Sequence, residues 1–183
     1  MAAKKQGLYA ITVEPASLRN LLQVLNKLDK ETQNEVRDAA LPLSNRLAGQ
    51  LRQFADSAPS PQTKLVAQSI AAKRDRLIRV DVGGTKKVGR KYGGESRGKG
   101  KRVKQSSAPA GALLWGTEYG SGRGTDSAGR SYTDRFKAPR NKGGYWIAPA
   151  VDYYTPIVAK EYIEIITKII KREGLGWCSD NCK

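Results

Sequence analysis

The sequence contains no histidine, and its two cysteines, Cys178 and Cys182, both sit in the last residues of the chain. Without an imidazole, the Ser-His and Cys-His couples of acyl transfer have no base, and the histidine-containing zinc sets have no ligand. The cysteines are spaced C-x3-C, which is neither the C-x2-C redox pair nor half of a zinc set. A plain tail, a local disulfide and an adventitious metal all fit them. No apolar run reaches the roughly 18 residues of a membrane span, and residues 1–15 lack the apolar core of a secretory signal. The expectation is a cytosolic protein with no membrane partner. Acidic residues are also scarce, 17 against 33 basic, for a net charge of +16. Such a field is felt by polyanions over a Debye length of about 8 Å, so nucleic acid is a partner to weigh early.

At 183 residues the chain has room for one ordinary domain with a real core. We read residues 1–183 as that single domain: an N-terminal part (8–82), a basic loop (84–108), a second structured part (111–174) and a tail (175–183). Residues 8–13 alternate, with Tyr9, Ile11 and Val13 on one side, and Pro15 ends the pattern, so a half-buried strand is expected. Ser17 then caps a helix whose leucines 18, 21, 22, 25 and 28 fall on one face. A second helical pattern starts at Asp29 or Glu31 and runs through Val36, Ala40, Leu43, Leu47, Leu51 and Phe54. Pro42 falls inside it, where a kink or break is expected at a cost of about 3 kcal/mol. Its charges, Glu35, Arg37, Asp38, Arg46 and Arg52, read as a solvated face. Residues 63–72 suit a short helix after Pro59 and Pro61. Residues 77–82 read as a strand with Ile78, Val80 and Val82 inward and a wet face carrying Arg79 and Asp81.

Residues 84–105 differ in kind. They hold nine basic residues (Lys86, Lys87, Arg90, Lys91, Arg97, Lys99, Lys101, Arg102 and Lys104), one acid and six glycines. Ordering each residue costs about 1 to 2 kcal/mol of backbone entropy, and only Val88, Tyr92 and Val103 offer sizeable apolar surface. A mobile loop, ordered only by a partner, is the expectation, with its cations set to touch DNA or an acidic protein.

The segment 111–149 carries the large rings Trp115, Tyr119, Tyr145 and Trp146 beside glycines. The pairing suits sharp turns or close backbone approach. Residues 113–119 and 144–148 read as strands, and 120–134 as a polar excursion. The last helix is expected from the Thr155 cap and Pro156 to a stop at Gly174. Its apolar arc of about 160° holds Val158, Tyr162, Ile163, Ile165, Ile166, Ile169 and Ile170. The fold class expected is α+β: a small, mostly antiparallel sheet packed with N-terminal helices and a C-terminal amphipathic helix, with a long basic loop inserted.

Nothing in the pattern assembles a reaction centre, and the expectation is no enzyme and no cofactor. GGTKKVGRKYGG lacks the spacing of a phosphate-binding loop. Glu118, Asp126, Asp134 and Asp152 are candidate paired carboxylates that the sequence alone does not bring together. The aromatic residues Trp115, Tyr119, Tyr145, Trp146 and Tyr153, with Glu118, read instead as candidates for contact between subunits. For Glu118 a solvated carboxylate or an arginine partner fits equally well.

The order WGTEYGS, a polar loop, FKAPRNKGGYWIAPAV and a terminal amphipathic helix resembles the tail-completion, or head-tail joining, proteins of long-tailed bacteriophages. Glu118, Tyr119 and Gly120 take the Glu-aromatic-Gly part of that pattern. Residues 146–150 take the aromatic-x-Pro-Ala part. The family's Thr-Gly appears here as Thr63-Lys64. The resemblance implies a virion neck subunit, a bacteriophage structural protein made in the host cytoplasm. It would form a homo-oligomeric, sixfold ring between the head connector and the tail tube or terminator, with a lumen for genomic DNA. The competing reading is a small basic nucleic-acid-binding protein, ribosome-associated or involved in DNA packaging. Against it, the basic residues gather in a glycine-rich loop instead of patterning a helix or sheet face with aromatics.

Overall fold

The computed structural model describes residues 8–12, 29–92, 96–97, 101–102, 106–125, 129, 131–132 and 134–172. The helix expected from Ser17, Lys99 and Lys104 of the basic stretch, Asp126 and the cysteine tail lie outside them. The fold is α+β, with a long N-terminal helix, small antiparallel sheets and a C-terminal helix packed on the first.

The first strand, β1 (Leu8–Thr12), falls where the alternation places it. Helix α1 (Lys30–Ser57) begins at Asp29, whose side chain accepts a hydrogen bond from the Thr32 amide at 2.9 Å. This satisfies one of the four orphan donors of the first turn. Of the kink or break expected at Pro42, the break does not occur, for α1 runs through that residue as one helix. The cost of a proline, about 3 kcal/mol, is outweighed because Val36, Leu43, Leu47 and Leu51 on either side are all buried, each contributing about 1.5 to 3 kcal/mol.

Helix α4 (Ile147–Arg172) lies antiparallel to α1. The direction follows from its cross-links: Arg172 pairs with Glu35, Arg46 with Glu161 at 2.7 Å, and the Phe54 ring meets that of Tyr154 edge-on at 6.2 Å. Moving up one helix moves down the other. The charges expected to form a merely solvated face therefore clamp elements together, with Asp38 held by Arg74 at 2.5 Å and Arg52 donating to the Ile70 carbonyl. Between the helices lie Tyr162, Ile166, Ile169 and Ile170, all buried, whereas Ile163 is exposed and Ile165 half-buried.

Behind α1 comes the short helix α2 (Thr63–Ala67), then β2 (Ala71–Lys73) and β3 (Arg79–Gly83). The helix is shorter than the expected span of 63–72, whose last residues belong to β2. The three strands form an antiparallel sheet in the order β1-β3-β2, with Ile11 opposite Val80 and Ala72 also opposite Val80. Ile78, Val80 and Val82 are buried as expected. The other face is less wet than the alternation implies, because Asp81 is also buried and accepts from Arg79 at 3.0 Å.

The basic stretch departs from an irregular loop. After Gly83 and Gly84, both at positive φ, β4 (Lys87–Tyr92) pairs antiparallel with β7 (Ser106–Pro109). The two-residue strands β5 (Ser96–Arg97) and β6 (Lys101–Arg102) pair with each other in a separate sheet. Two things offset the entropy cost of ordering residues 84–92. They pair with the partner strand β7, which lies just beyond the window of 84–105, and Val88 is buried. The base of the arm is further fastened by bonds from the Ala110 amide to the Lys86 carbonyl and from the Gly111 amide to the Gly84 carbonyl.

Two more corrections concern the central segment. Residues 113–119 are helical: α3 (Ala110–Tyr119) starts at Pro109 and stops at Gly120, which has φ of 69°. Residues 144–148 are not a strand either, since α4 begins at Ile147, eight residues before the expected Thr155 cap, and runs through Pro156. Between α3 and α4, β8 (Gly124–Thr125) pairs with β9 (Ser131–Tyr132).

Candidate functional site

The end of α3, residues 134–146 and the start of α4 form one interlocked unit centred on Glu118. Its side chain is 3% exposed. The carboxylate accepts backbone hydrogen bonds from Ile147 at 2.8 Å, Ala148 at 2.9 Å and Trp146 at 3.3 Å. These amides are the orphan donors at the N-terminus of α4, where a negative charge also meets the positive end of the helix dipole. Glu118 thus caps α4 from a different helix, a role that neither a solvated strand carboxylate nor an arginine partner describes.

The glycines around it follow from this geometry. Gly144 has φ of 76°, and a Cβ there would fall 2.1 Å from the Glu118 Oε1. At Gly120 a Cβ would fall 1.9 Å from the Pro139 carbonyl oxygen, and at Gly116 it would enter the Phe136 ring. Close backbone approach, expected from the glycine-aromatic pairing, is therefore present, although between helix and loop rather than within a sheet. The loop is tied down by Asn141 N–H donating to the Tyr119 carbonyl, Ser121 N–H to the Ala138 carbonyl and Tyr145 hydroxyl to the Pro139 carbonyl.

This arrangement sorts the six aromatic and acidic candidates. Glu118 and Trp146 are enclosed by their own chain, Trp146 with no exposed surface, so their first use is to hold that chain's fold together. Tyr119 and Tyr145 are half-buried. Trp115 is 58% exposed and stacks on Tyr119, with ring centroids 5.4 Å apart and planes 18° off parallel. Tyr153 is 63% exposed on α4, four residues before exposed Ile157.

A residue whose alternation places it inward joins the outer group. Tyr9, on the edge strand β1, is 42% exposed and borders the same recess as Trp115, Glu118 and Tyr119. Alternation puts it beside Ile11 correctly, but does not show that the core ends at Ile11. The recess has a volume of about 20 Å³, far below the roughly 300 Å³ of a small-molecule pocket. Burial, aided by the nearby charge of Glu118, pushes the Tyr119 hydroxyl's pKa above its ordinary value. The result is a surface of rings rather than a cavity.

The basic candidates occupy the arm. Lys86 precedes β4 and donates to the Gln68 carbonyl. Lys87, Arg90 and Lys91 lie exposed along β4, Arg97 is on β5, and Lys101 and Arg102 are on β6. Seven of the nine thus fall on strands β4, β5 and β6 or just before β4. Among the described residues no group of three acidic or sulfur side chains stands close enough to hold a metal. Both Glu118 oxygens are engaged by the amides that open α4. No described helix is long and apolar enough to cross a membrane.

Comparison with known protein families, with curated proteins and with solved structures finds no match to this chain.

Proposed function

We propose that the chain is a structural subunit of a bacteriophage neck, which assembles into a sixfold ring that completes the tail and joins it to the DNA-filled head. The single observation that carries this reading is the outward-facing ring cluster of Tyr9, Trp115 and Tyr119, built on a rigid base. Exposed aromatics grouped on an edge strand, which β1 is among the described residues, are typical of surfaces that meet another protein. Self-association places the same patch, or its complement, on every copy, and a head-to-tail arrangement closes into a ring.

The residues that carry the resemblance to tail-completion proteins also support it, because they depend on one another physically. Glu118 needs the amides at 146–148, and Gly144 leaves room for Glu118. In this reading the basic arm faces DNA in the lumen or acidic neighbouring subunits. The connector and the tail tube or terminator are the neighbours, and the virion is the protein's final location. Its function is mechanical, without a reaction or a cofactor.

A small nucleic-acid-binding protein remains the competing reading, favoured by the cations on the arm. The two separate in a phage genome lacking this gene. The neck reading predicts full heads and finished tails that stay apart, rejoined when the protein is supplied. Intact, infectious particles without the protein would overturn it.

A further inference from the structure

A cleft of about 810 Å³ opens between the root of the basic arm and the body, lined by residues that the ring surface does not use. Its floor is apolar: Leu65 from α2, Val88 from β4, and Leu113 with Phe136 from the α3 side. At its edges stand Arg90 and Arg135, both exposed and with no carboxylate partner among the described residues. Among the described residues no acidic side chain lines it. The volume falls within the roughly 300 to 1,000 Å³ typical of ligand sites.

The local backbone is shaped for this opening. Val88 pairs with Ala108 and Tyr92 with Ser106, so β4 carries extra residues against a single intervening one on β7. Gly89 sits in that bulge at φ of 73°, where a Cβ would fall only 2.9 Å from the Leu65 side chain. A bulge bends its strand and redirects a side chain, and is over-represented beside functional sites. Here it falls next to Arg90.

We infer that this cleft binds an acidic, apolar peptide segment of a partner protein. Charge decides among occupants. A second copy brings the same net charge of +16 to a site already edged by two arginines. Nucleic acid offers phosphates to the arginines, but its bases have one ring, Phe136, to stack on, and the rest of the apolar floor, Leu65, Val88 and Leu113, is aliphatic. A segment with carboxylates spaced by leucine or phenylalanine meets both requirements, since arginine forks match carboxylates bidentately. The inference does not depend on the neck reading, because ring formation uses a different surface.

The test uses the full chain and three labelled probes in a fluorescence anisotropy titration: an octapeptide alternating glutamate and leucine, one of glutamate and serine, and an oligothymidylate of eight nucleotides. The glutamate-leucine peptide is expected to bind at least tenfold more tightly than the glutamate-serine one. Arg90→Gln with Arg135→Gln should weaken it about tenfold or more, and Ala112→Trp, which fills the cleft from its exposed edge, should do likewise. Thermal melting of each variant, expected unchanged, separates lost binding from lost folding. Equal binding of the two peptides, insensitivity to both variants, or displacement of the peptide by oligothymidylate at equal concentration would overturn the inference. Normal rings with no peptide binding would reject the cleft alone, whereas binding without rings would reject the neck reading alone.

Discussion

Replacing Glu118 by alanine removes the acceptor for the first amides of α4 while leaving those amides buried under Trp146 and Ile147. Two of the three bonds are short, and hydrogen bonds to a charged group are worth about 1.5 to 3 kcal/mol each. The third, at 3.3 Å, adds little. With overlap between the losses, the cost is about 3 to 5 kcal/mol, a large share of the roughly 5 to 15 kcal/mol that holds a typical domain. Glu118→Gln keeps one acceptor oxygen but presents an NH2 group to the remaining donor, so its cost should be roughly half as large. Gly144→Ala adds about 1 to 2 kcal/mol of left-handed backbone strain, plus the collision with the Glu118 carboxylate at 2.1 Å. With Glu118→Ala already made, the collision with the carboxylate is gone, and the strain and a tight 3.1 Å approach to the Ala148 Cβ remain. A double-mutant cycle by urea unfolding, at conditions keeping the chain monomeric, should thus give a coupling of at least about 1 kcal/mol. Additive effects, or a Glu118→Ala cost under about 1 kcal/mol, would refute the clamp.

Further expectations follow from other parts of the molecule. Trp146→Ala should cost about 3 to 5 kcal/mol in denaturant unfolding, since the ring is wholly enclosed, while Trp115→Ala should stay within about 0.5 kcal/mol and act on association alone. Acid should destabilise the fold, because Thr32 holds the Asp29 carboxyl below its ordinary range, as Arg172 does Glu35 and Arg74 does Asp38. A lowered carboxylate stabilises above its unfolded pKa and loses that contribution as pH falls through its folded one. Melting temperature should therefore drop from about pH 4 downward, and less steeply in a Glu35→Gln, Asp38→Asn variant. If the arm meets DNA, replacing Lys86, Lys87, Arg90 and Lys91 by glutamine should flatten the log-log salt dependence of duplex binding by about 3 to 4 units. An unchanged slope would assign the arm to a protein neighbour.

The sequence is informative where one residue's neighbours in the chain decide its fate. Asp29, the 3.6-residue spacing from Val36 to Leu51, and the alternation around Val80 each state a local structure that the fold adopts. The apolar arc of α4 is equally clear from Val158 onward. Helix α3 reads as a strand because AGALLWGTEY is apolar on nearly every side, which removes the period that tells helix from buried strand. The start of α4 is hidden for a different reason. Its cap is Glu118, 29 residues before the Ile147 amide it receives, and no local pattern announces a cap supplied from another helix. The same long-range geometry explains Gly144, visible in the sequence only as a glycine beside an aromatic. Tyr9 reads as inward because alternation gives the face of a residue, not how far along that face the core extends. Similarly, the pairing of β4 with β7 joins residues far apart in the chain, where composition alone argues for disorder.

The central claim is self-assembly through the aromatic surface, and native mass spectrometry of the purified full-length chain beside Trp115→Ala tests it most directly. The wild-type chain should appear as a closed oligomer, six copies in the neck reading, and the variant as folded monomer with an unchanged melting temperature. A wild-type chain that stays monomeric up to concentrations of tens of micromolar, or a Trp115→Ala variant that assembles as readily, would contradict it.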